Sequence, residues 1–303
     1  MSTDAGAPAR SPRARLRALL AAPGIVLCPG VTNAWVGRQA EAAGFDCLFV
    51  TGAGIANTLY GWPDLGLVTL DESLAVTRRI VEAVAIPVVA DCDTGYGNHL
   101  NVTRTVREFE HAGVAAIVLE DQVSPKRCGH FDGKTVVPAR EMVEKIVAAV
   151  GARRDPGLVL VARTDAAEAE GLDAAIERAR AYVAAGADVA YVEAPTTLEA
   201  LVRIPLEVPA PCLIDVVEGG KTPLLPAAEY AALGYKVALY ANLALRMAGA
   251  AVERAFETLR AEGSSERLIA EMFSWEQRQA LVGLPAWQAL DREIAARAAE
   301  LAD

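Results

Sequence analysis

The sequence predicts a TIM-type (β/α)8 barrel with extra C-terminal helices, and three observations carry that prediction. Eight short runs rich in Val, Ile and Leu recur at 25–28, 46–50, 86–90, 115–119, 158–162, 189–192, 212–216 and 236–240. Most are apolar nearly throughout, as strands of a parallel sheet covered on both faces are. The stretches between them are Ala-rich and of helical period, and eight such units in about 250 residues match one barrel. A doubly wound open sheet, the structural alternative, more often has roughly five or six strands.

Each element has a local reason. Residues 1–12 are rich in Ala, Pro, Ser and Arg and are expected to form a disordered tail. Leu16, Leu19 and Leu20 give Arg13–Ala22 the spacing of a short amphipathic helix, which Pro23-Gly24 stops. Further helices are expected over Leu70–Ala83, Leu100–Ala112, Ala139–Val150 and Asp173–Ala185. An Ala-Gly or Leu-Gly pair ending at Gly44, Gly113, Gly186 and Gly234 precedes the next strand, where a helix C-cap belongs. Residues 247–303 are almost wholly helical in pattern and exceed what one barrel needs. They either cap the barrel or pack on another subunit. With no Gly-, Ser- or Pro-rich linker, residues 13–303 read as a single domain that includes this extension.

Composition excludes several classes. The 29 basic and 39 acidic side chains leave a net charge of −10, which disfavours nucleic acid as a partner. An apolar share of 53% excludes long disorder, yet no uninterrupted apolar stretch approaches the ~18 residues of a membrane span. Cys28, Cys47, Cys92, Cys128 and Cys212 are odd in number and scattered without a Cys-x-x-Cys pair, so neither a disulfide framework nor a zinc site is indicated. The first twelve residues carry no apolar signal-peptide region, and a cytoplasmic enzyme is the expectation.

The active site of such a barrel lies at the C-terminal ends of its strands. Reading just past each apolar run gives Thr51-Gly52-Ala53-Gly54, Asp91-Cys92-Asp93, Glu120-Asp121, Arg163-Thr164-Asp165, Glu193, and Asp215 with Glu218. Carboxylates that converge need a compensating cation. Asp91, Asp93 and Glu120 are oxygen donors suited to Mg²⁺, with Mn²⁺ possible, rather than zinc. Each acid alone could instead pair with a base or cap a helix. Arg163 reads as a bidentate clamp for a substrate carboxylate, or as the ion-pair partner of Glu193. Thr51–Gly54 reads equally as a backbone cradle for a small anion or as a tight strand exit. Residues 124–134 form a long loop bearing Lys126, Arg127, Cys128 and His130. A thiol beside three potential cations is expected to have a lowered pKa, although an ordinary loop thiol fits as well.

Taken together, these residues resemble the isocitrate lyase/phosphoenolpyruvate mutase superfamily. The marks are Gly-Trp-Pro-Asp64-Leu-Gly, Asp91-x-Asp93-x-Gly-Tyr-Gly97, Glu120-Asp-Gln, Pro-Lys126-Arg-Cys128-Gly-His130, Ala-Arg163-Thr-Asp-Ala and Val217-Glu-Gly-Gly-Lys-Thr-Pro223. The likeness runs from about Leu16 to the C-terminus and looks closest to methylisocitrate lyase, dimethylmalate lyase-like and carboxyphosphonoenolpyruvate phosphonomutase proteins. It implies that Asp91 binds Mg²⁺ directly, with Asp93, Glu120 and Asp64 reaching it mostly through water. Thr51, Gly52 and Ala53 then hold a 2-oxo-acid unit, Arg163 binds a substrate oxygen, and Cys128 on a gating loop donates a proton. Lys126 and His130 flank that thiol, while Glu193 and Asp215 line the substrate pocket. The implied reaction is carbon–carbon cleavage of a small 2-hydroxy di- or tricarboxylic acid to pyruvate or glyoxylate and a second carboxylate. Phosphonomutase, and hydrolase or decarboxylase action on an oxaloacetate-like acid, are the alternatives within the resemblance. A barrel that binds carboxylates without turnover is the alternative outside it. A homotetramer, a dimer of dimers exchanging C-terminal helices, is also implied. Two positions depart from the pattern: Asp215 and Asn33 stand where relatives commonly have Asn and Asp. An ionised Asp215 would repel a substrate carboxylate, so it is protonated, paired with a cation such as Lys221, or facing a substrate without a carboxylate there.

Overall fold

The computed structural model describes residues 11–302, so most of the expected tail lies outside the described residues. The chain divides into two compact units, Met1–Leu245 and Arg246–Asp303.

The first unit contains eight parallel strands: β1 (Val26–Val31), β2 (Leu48–Val50), β3 (Val88–Asp91), β4 (Ala116–Glu120), β5 (Val159–Thr164), β6 (Val189–Val192), β7 (Cys212–Asp215) and β8 (Tyr235–Tyr240). Each bonds to the next and β8 closes on β1, so the barrel is complete. The expected helices appear at Leu70–Ala83, His99–His111, Ala139–Ala152 and Leu172–Ala184. Asn33 caps the helix Ala34–Ala42 by accepting the Val36 N–H at 3.0 Å, a task Asp performs equally well. That role accounts for one of the two departures.

Strand residues alternate between two environments, as the period of two requires. Phe49, Val89, Val118, Val161, Tyr191, Leu213 and Leu239 pack together in the barrel interior. Their neighbours Leu160, Ala162, Ala190, Val192, Ile214 and Ala238 face outward onto the helices. The helix Pro12–Ala21 closes the end where the strands begin, burying Leu16 in the interior cluster. Its Arg13 pairs with Asp155 at 2.8 Å, and its Arg17 pairs with Asp188 at 3.1 Å while donating to the Gly157 and Leu158 carbonyls. The cavity beneath that helix is lined by apolar and thiol side chains such as Leu20, Cys28, Phe49 and Val161 and offers no charged group.

The second unit begins within the helix Leu243–Glu262 and continues through the helices Trp275–Leu281 and Leu284–Ala302. Met247, Phe256, Trp275 and Trp287 stand exposed on it. Among the described residues, no helix is long and apolar enough to cross a membrane.

Candidate active site

The alternation that builds the barrel wall also builds the site. Two residues past an interior apolar side chain, the strand ends on a polar one: Thr51 after Phe49, Asp91 after Val89, and Glu120 after Val118. The same step gives Arg163 after Val161, Glu193 after Tyr191, and Asp215 after Leu213. Register keeps neighbours level, with Glu120 opposite Arg163 and Arg163 opposite Tyr191. Thr51, Ala53, Asp64, Asp91, Lys126, Cys128, His130, Arg163, Glu193 and Asp215 all line one pocket of about 410 Å³.

One side of this pocket is acidic. Thr51 caps the four-residue helix Gly52–Ile55, and the Gly52 N–H donates to Asp91 Oδ2 at 3.1 Å. A Cβ on residue 52 would stand 2.9 Å from that oxygen, so only glycine lets the backbone approach. The Asp93 N–H donates to Asp91 Oδ1 at 3.2 Å, with Asp93 in the left-handed region at φ 46°. Lys126, only 5% exposed, reaches in from the loop to Asp64 at 2.5 Å and Asp93 at 3.1 Å. Burial pushes Asp93 up to about 6 despite the Lys126 ammonium, and burial likewise raises Glu120 against the pull of Arg163. Burial works against the Lys126 charge, but Asp93, Asp64 and Glu120 outweigh it and hold its pKa well above the usual lysine value. Glu120 Oε1 is buried without a hydrogen bond, and Asp93 Oδ1 has the Lys126 ammonium at 3.1 Å. A buried carboxylate oxygen left unsatisfied beside the Asp91 and Asp93 carboxylates at the mouth of a barrel fits a hard divalent cation.

Arg163 is the hub between this side and the opposite one. It makes two 2.9 Å bonds to Asp165, and it lies 3.3 Å from Glu120 and 3.6 Å from Glu193. The pairing with Glu193 expected from the sequence is therefore present, but Asp165 is the closer partner. Lys134 steadies Asp165 at 3.1 Å. The guanidinium also sits 5.3 Å from the centre of the Tyr191 ring.

The loop after β4 is tied down along its length. Gln122 accepts the Arg127 N–H and donates to the Arg127 carbonyl, both at 2.9 Å. Lys134 donates to the Gly129 carbonyl, and Glu168 accepts the Gly133 N–H at 3.0 Å. Lys221 bonds Asp132 at 2.5 Å and Glu168 at 3.0 Å. Gly129 abuts Arg163 and Glu193 so closely that a Cβ there would overlap both side chains.

Two expectations need correction here. The Cys128 pKa is raised, not lowered, because burial outweighs the neighbouring charges. Lys126 is committed to two carboxylates, and burial pushes the His130 imidazole down toward its neutral form. Asp215 does not pair with Lys221, whose ammonium is turned to Asp132 and Glu168. Instead burial, and then the nearby Glu193 carboxylate, raise Asp215, against a backbone bond from Ala241 and one from the Tyr191 hydroxyl. Sequence reasoning missed Tyr191 and Lys134. Tyr191 lies inside an apolar run and gives no signal; Lys134 is a loop lysine whose burial depends on Asp165.

Residues 16–260 match the family model for phosphoenolpyruvate phosphomutase. The chain belongs to the PEP mutase/isocitrate lyase superfamily. Among its relatives is the 2,3-dimethylmalate lyase of Eubacterium barkeri, 42% identical over 89% of this chain and 94% of that one. A crystal structure of 2,3-dimethylmalate lyase superposes with a TM-score of 0.89 at 36% identity, covering 95% of this chain and 96% of the other. The 2-methylisocitrate lyase of Aeropyrum pernix is 41% identical over 97% of this chain and 94% of its own. A phosphonopyruvate hydrolase solved with oxalate and Mg²⁺ superposes at a TM-score of 0.84 and 31% identity, covering 93% and 99%.

Proposed function

We propose that this superfamily member is a carbon–carbon lyase that cleaves a small 2-hydroxy di- or tricarboxylic acid into a 2-oxo acid and a second carboxylate. The observation that carries the reading is the Cys128 thiol lining a pocket whose strand ends gather buried carboxylates, Glu120 Oε1 among them without a partner. Asp91, Asp93 and Glu120 would hold a Mg²⁺ ion, with Asp64 nearby; Mn²⁺ shares the preference for oxygen donors. Bound there, the metal supplies Lewis-acid stabilisation of oxyanion charge. The Gly52 and Ala53 backbone and the Thr51 side chain form the wall against which the 2-oxo-acid unit rests. As a carboxylate lining the pocket takes the hydroxyl proton, the electrons of the cleaved bond pass to the departing fragment, an enolate of its carboxylate. Cys128 gives its proton to that carbon. A general acid must carry its proton at working pH, and the raised thiol pKa secures this. Arg163 binds a carboxylate oxygen, while Lys126 and His130 set the loop on either side of the thiol.

Glycine at 129 lets the loop next to Cys128 lie against Arg163 and Glu193, and the ties from Lys134, Glu168 and Lys221 exclude water once the loop is down. The apolar side chains exposed on the C-terminal unit, Phe256, Trp275 and Trp287 among them, support a homotetramer in which that unit packs on a neighbouring copy. The lack of a membrane-spanning helix among the described residues, and five unpaired cysteines, support the cytoplasm as its place of action.

The test is a panel of 2-hydroxy di- and tricarboxylic acids with and without Mg²⁺, scored for pyruvate or glyoxylate release. Metal-dependent release supports the lyase. Product seen only by ³¹P detection, or oxalate or carbon dioxide from an oxaloacetate-like acid, moves the protein to the mutase or to the hydrolase and decarboxylase reading. Activity that survives chelation overturns the metal assignment, and no turnover of any acid leaves a binding protein.

A further inference from the structure

Asp121 follows Glu120 at the end of β4, but the period of two turns its side chain the other way, toward the helix Leu172–Ala184 and out of the pocket. It is fully buried, and four donors converge on it. Oδ2 accepts from the Thr164 hydroxyl at 2.7 Å, the Tyr182 hydroxyl at 2.7 Å and the Arg178 guanidinium at 3.3 Å. Oδ1 accepts the Asp165 N–H at 2.9 Å. Both hydroxyls already accept elsewhere, Thr164 from the Ala166 N–H and Tyr182 from Arg178, each at 3.2 Å, so their protons point to Asp121. Four donors around one side chain suit an ionised carboxylate, which accepts through both oxygens.

The two oxygens do different work. The bonds on Oδ2 come from the helix and from the outward face of β5, and they fasten the carboxylate. The bond on Oδ1 reaches the chain one step past β5. β4 ends level with Arg163, the register partner of Glu120, so the Asp165 N–H lies beyond the last rung of that ladder and is received by Asp121 instead. Asp165 in turn holds Arg163 by two 2.9 Å bonds. A carboxylate outside the pocket thereby sets the angle at which Asp165 meets the guanidinium inside it.

We infer that Asp121 is a positioning residue: through Oδ1 it fixes the Asp165 main chain, and through Asp165 the direction in which Arg163 faces a bound carboxylate. The inference rests on the reading above that Arg163 binds a carboxylate oxygen.

Asp121→Asn tests it. An amide has one oxygen, which cannot serve both the Asp165 N–H and the three donors opposite. A bond to the charged Arg178 outweighs one to a neutral N–H, so the oxygen turns to Arg178 and an NH2 group meets the Asp165 N–H. Removing Arg178 as well frees the Tyr182 oxygen to accept from that NH2, and the amide oxygen returns to Asp165. Two readouts apply: hydrogen exchange of residues 163–166 by mass spectrometry, and calorimetric binding of oxalate with Mg²⁺, the pair found in the phosphonopyruvate hydrolase structure. In Asp121→Asn the exchange should quicken and oxalate should bind about tenfold weaker, the order of one hydrogen bond. Asp121→Asn/Arg178→Met should melt lower than either single variant yet bind oxalate within about threefold of the unmodified protein, a recovery that a general loss of packing does not produce. Arg178→Met alone leaves Oδ1 on the Asp165 N–H, so its affinity should also stay within about threefold while its melting temperature falls.

Unchanged exchange or unchanged affinity in Asp121→Asn overturns the inference. A double variant that binds no better than Asp121→Asn does so too, as does a tenfold loss in Arg178→Met alone, taken at about the size of one hydrogen bond. If Asp121→Asn does not fold, Tyr182→Phe and Arg178→Met decide, since both unload Oδ2 only: retained affinity in both supports the inference, and a comparable loss in either overturns it. An unmodified protein that binds no oxalate with Mg²⁺ refutes the underlying reading and the inference with it, whereas oxalate binding that is indifferent to Asp121→Asn refutes the inference alone.

Discussion

Gly129→Ala isolates the contact between loop and barrel. A Cβ at that position overlaps the Arg163 guanidinium and the Glu193 carboxylate. Two 2.9 Å bonds to Asp165 hold Arg163 in place, and Glu193 is buried beside it. The loop itself must lift by about 1 Å to regain ordinary van der Waals separation. A misplacement of about 1 Å in a reacting geometry costs roughly a hundredfold in rate. The barrel core is untouched, so stability should change by less than about 1 kcal/mol. Steady-state release of the 2-oxo acid measures the rate, and iodoacetamide alkylation of Cys128 reports loop position without any substrate. Turnover should fall about a hundredfold while alkylation quickens. A variant that keeps full turnover and an unchanged alkylation rate would show that the loop does not seat against Arg163 in the working enzyme.

Three further outcomes follow from the same geometry. Cys128→Ser should lose at least about a hundredfold in turnover, the low end for general acid–base catalysis, while Mg²⁺ binding measured by calorimetry is retained; retained activity would move the proton to another group. Because burial raises the Cys128 pKa above the usual thiol value, its thiolate is scarce at neutral pH. Its alkylation rate should therefore still be climbing at the pH where an ordinary thiol, of pKa about 8.5, has begun to level off, and a plateau already reached by pH 8 contradicts the buried thiol. Lys221→Met removes the ties to Asp132 and Glu168, so Cys128 alkylation should speed up, and Lys221→Arg should restore the slow rate.

The polar residues Asp91, Glu120, Arg163, Glu193 and Asp215 were legible in the sequence because strand ends are. Each apolar run stops, and the next inward position in a period of two is the charged one. Hidden from the sequence was who pairs with whom. Lys126, Arg127 and His130 beside Cys128 read as a field that ionises the thiol, yet Lys126 is spent on Asp64 and Asp93 across 62 residues of chain from the former. Burial then decides the sign of the shift, and burial of a loop is set by contacts such as Lys134 with Asp165 that no local pattern announces. For the same reason Lys221, four residues past Val217, read as a neighbour for Asp215 although it points to the loop. Tyr191 illustrates the converse: an aromatic inside an apolar run reads as wall, and it becomes part of the site only because Arg163 lies opposite in register.

The N-terminal helix leaves the barrel as a tube stoppered at one end, with Leu16 as the bung and Arg13 and Arg17 as its fastenings. Reactant and products must therefore share the open end, the end beside which the loop carrying Cys128 is tied down.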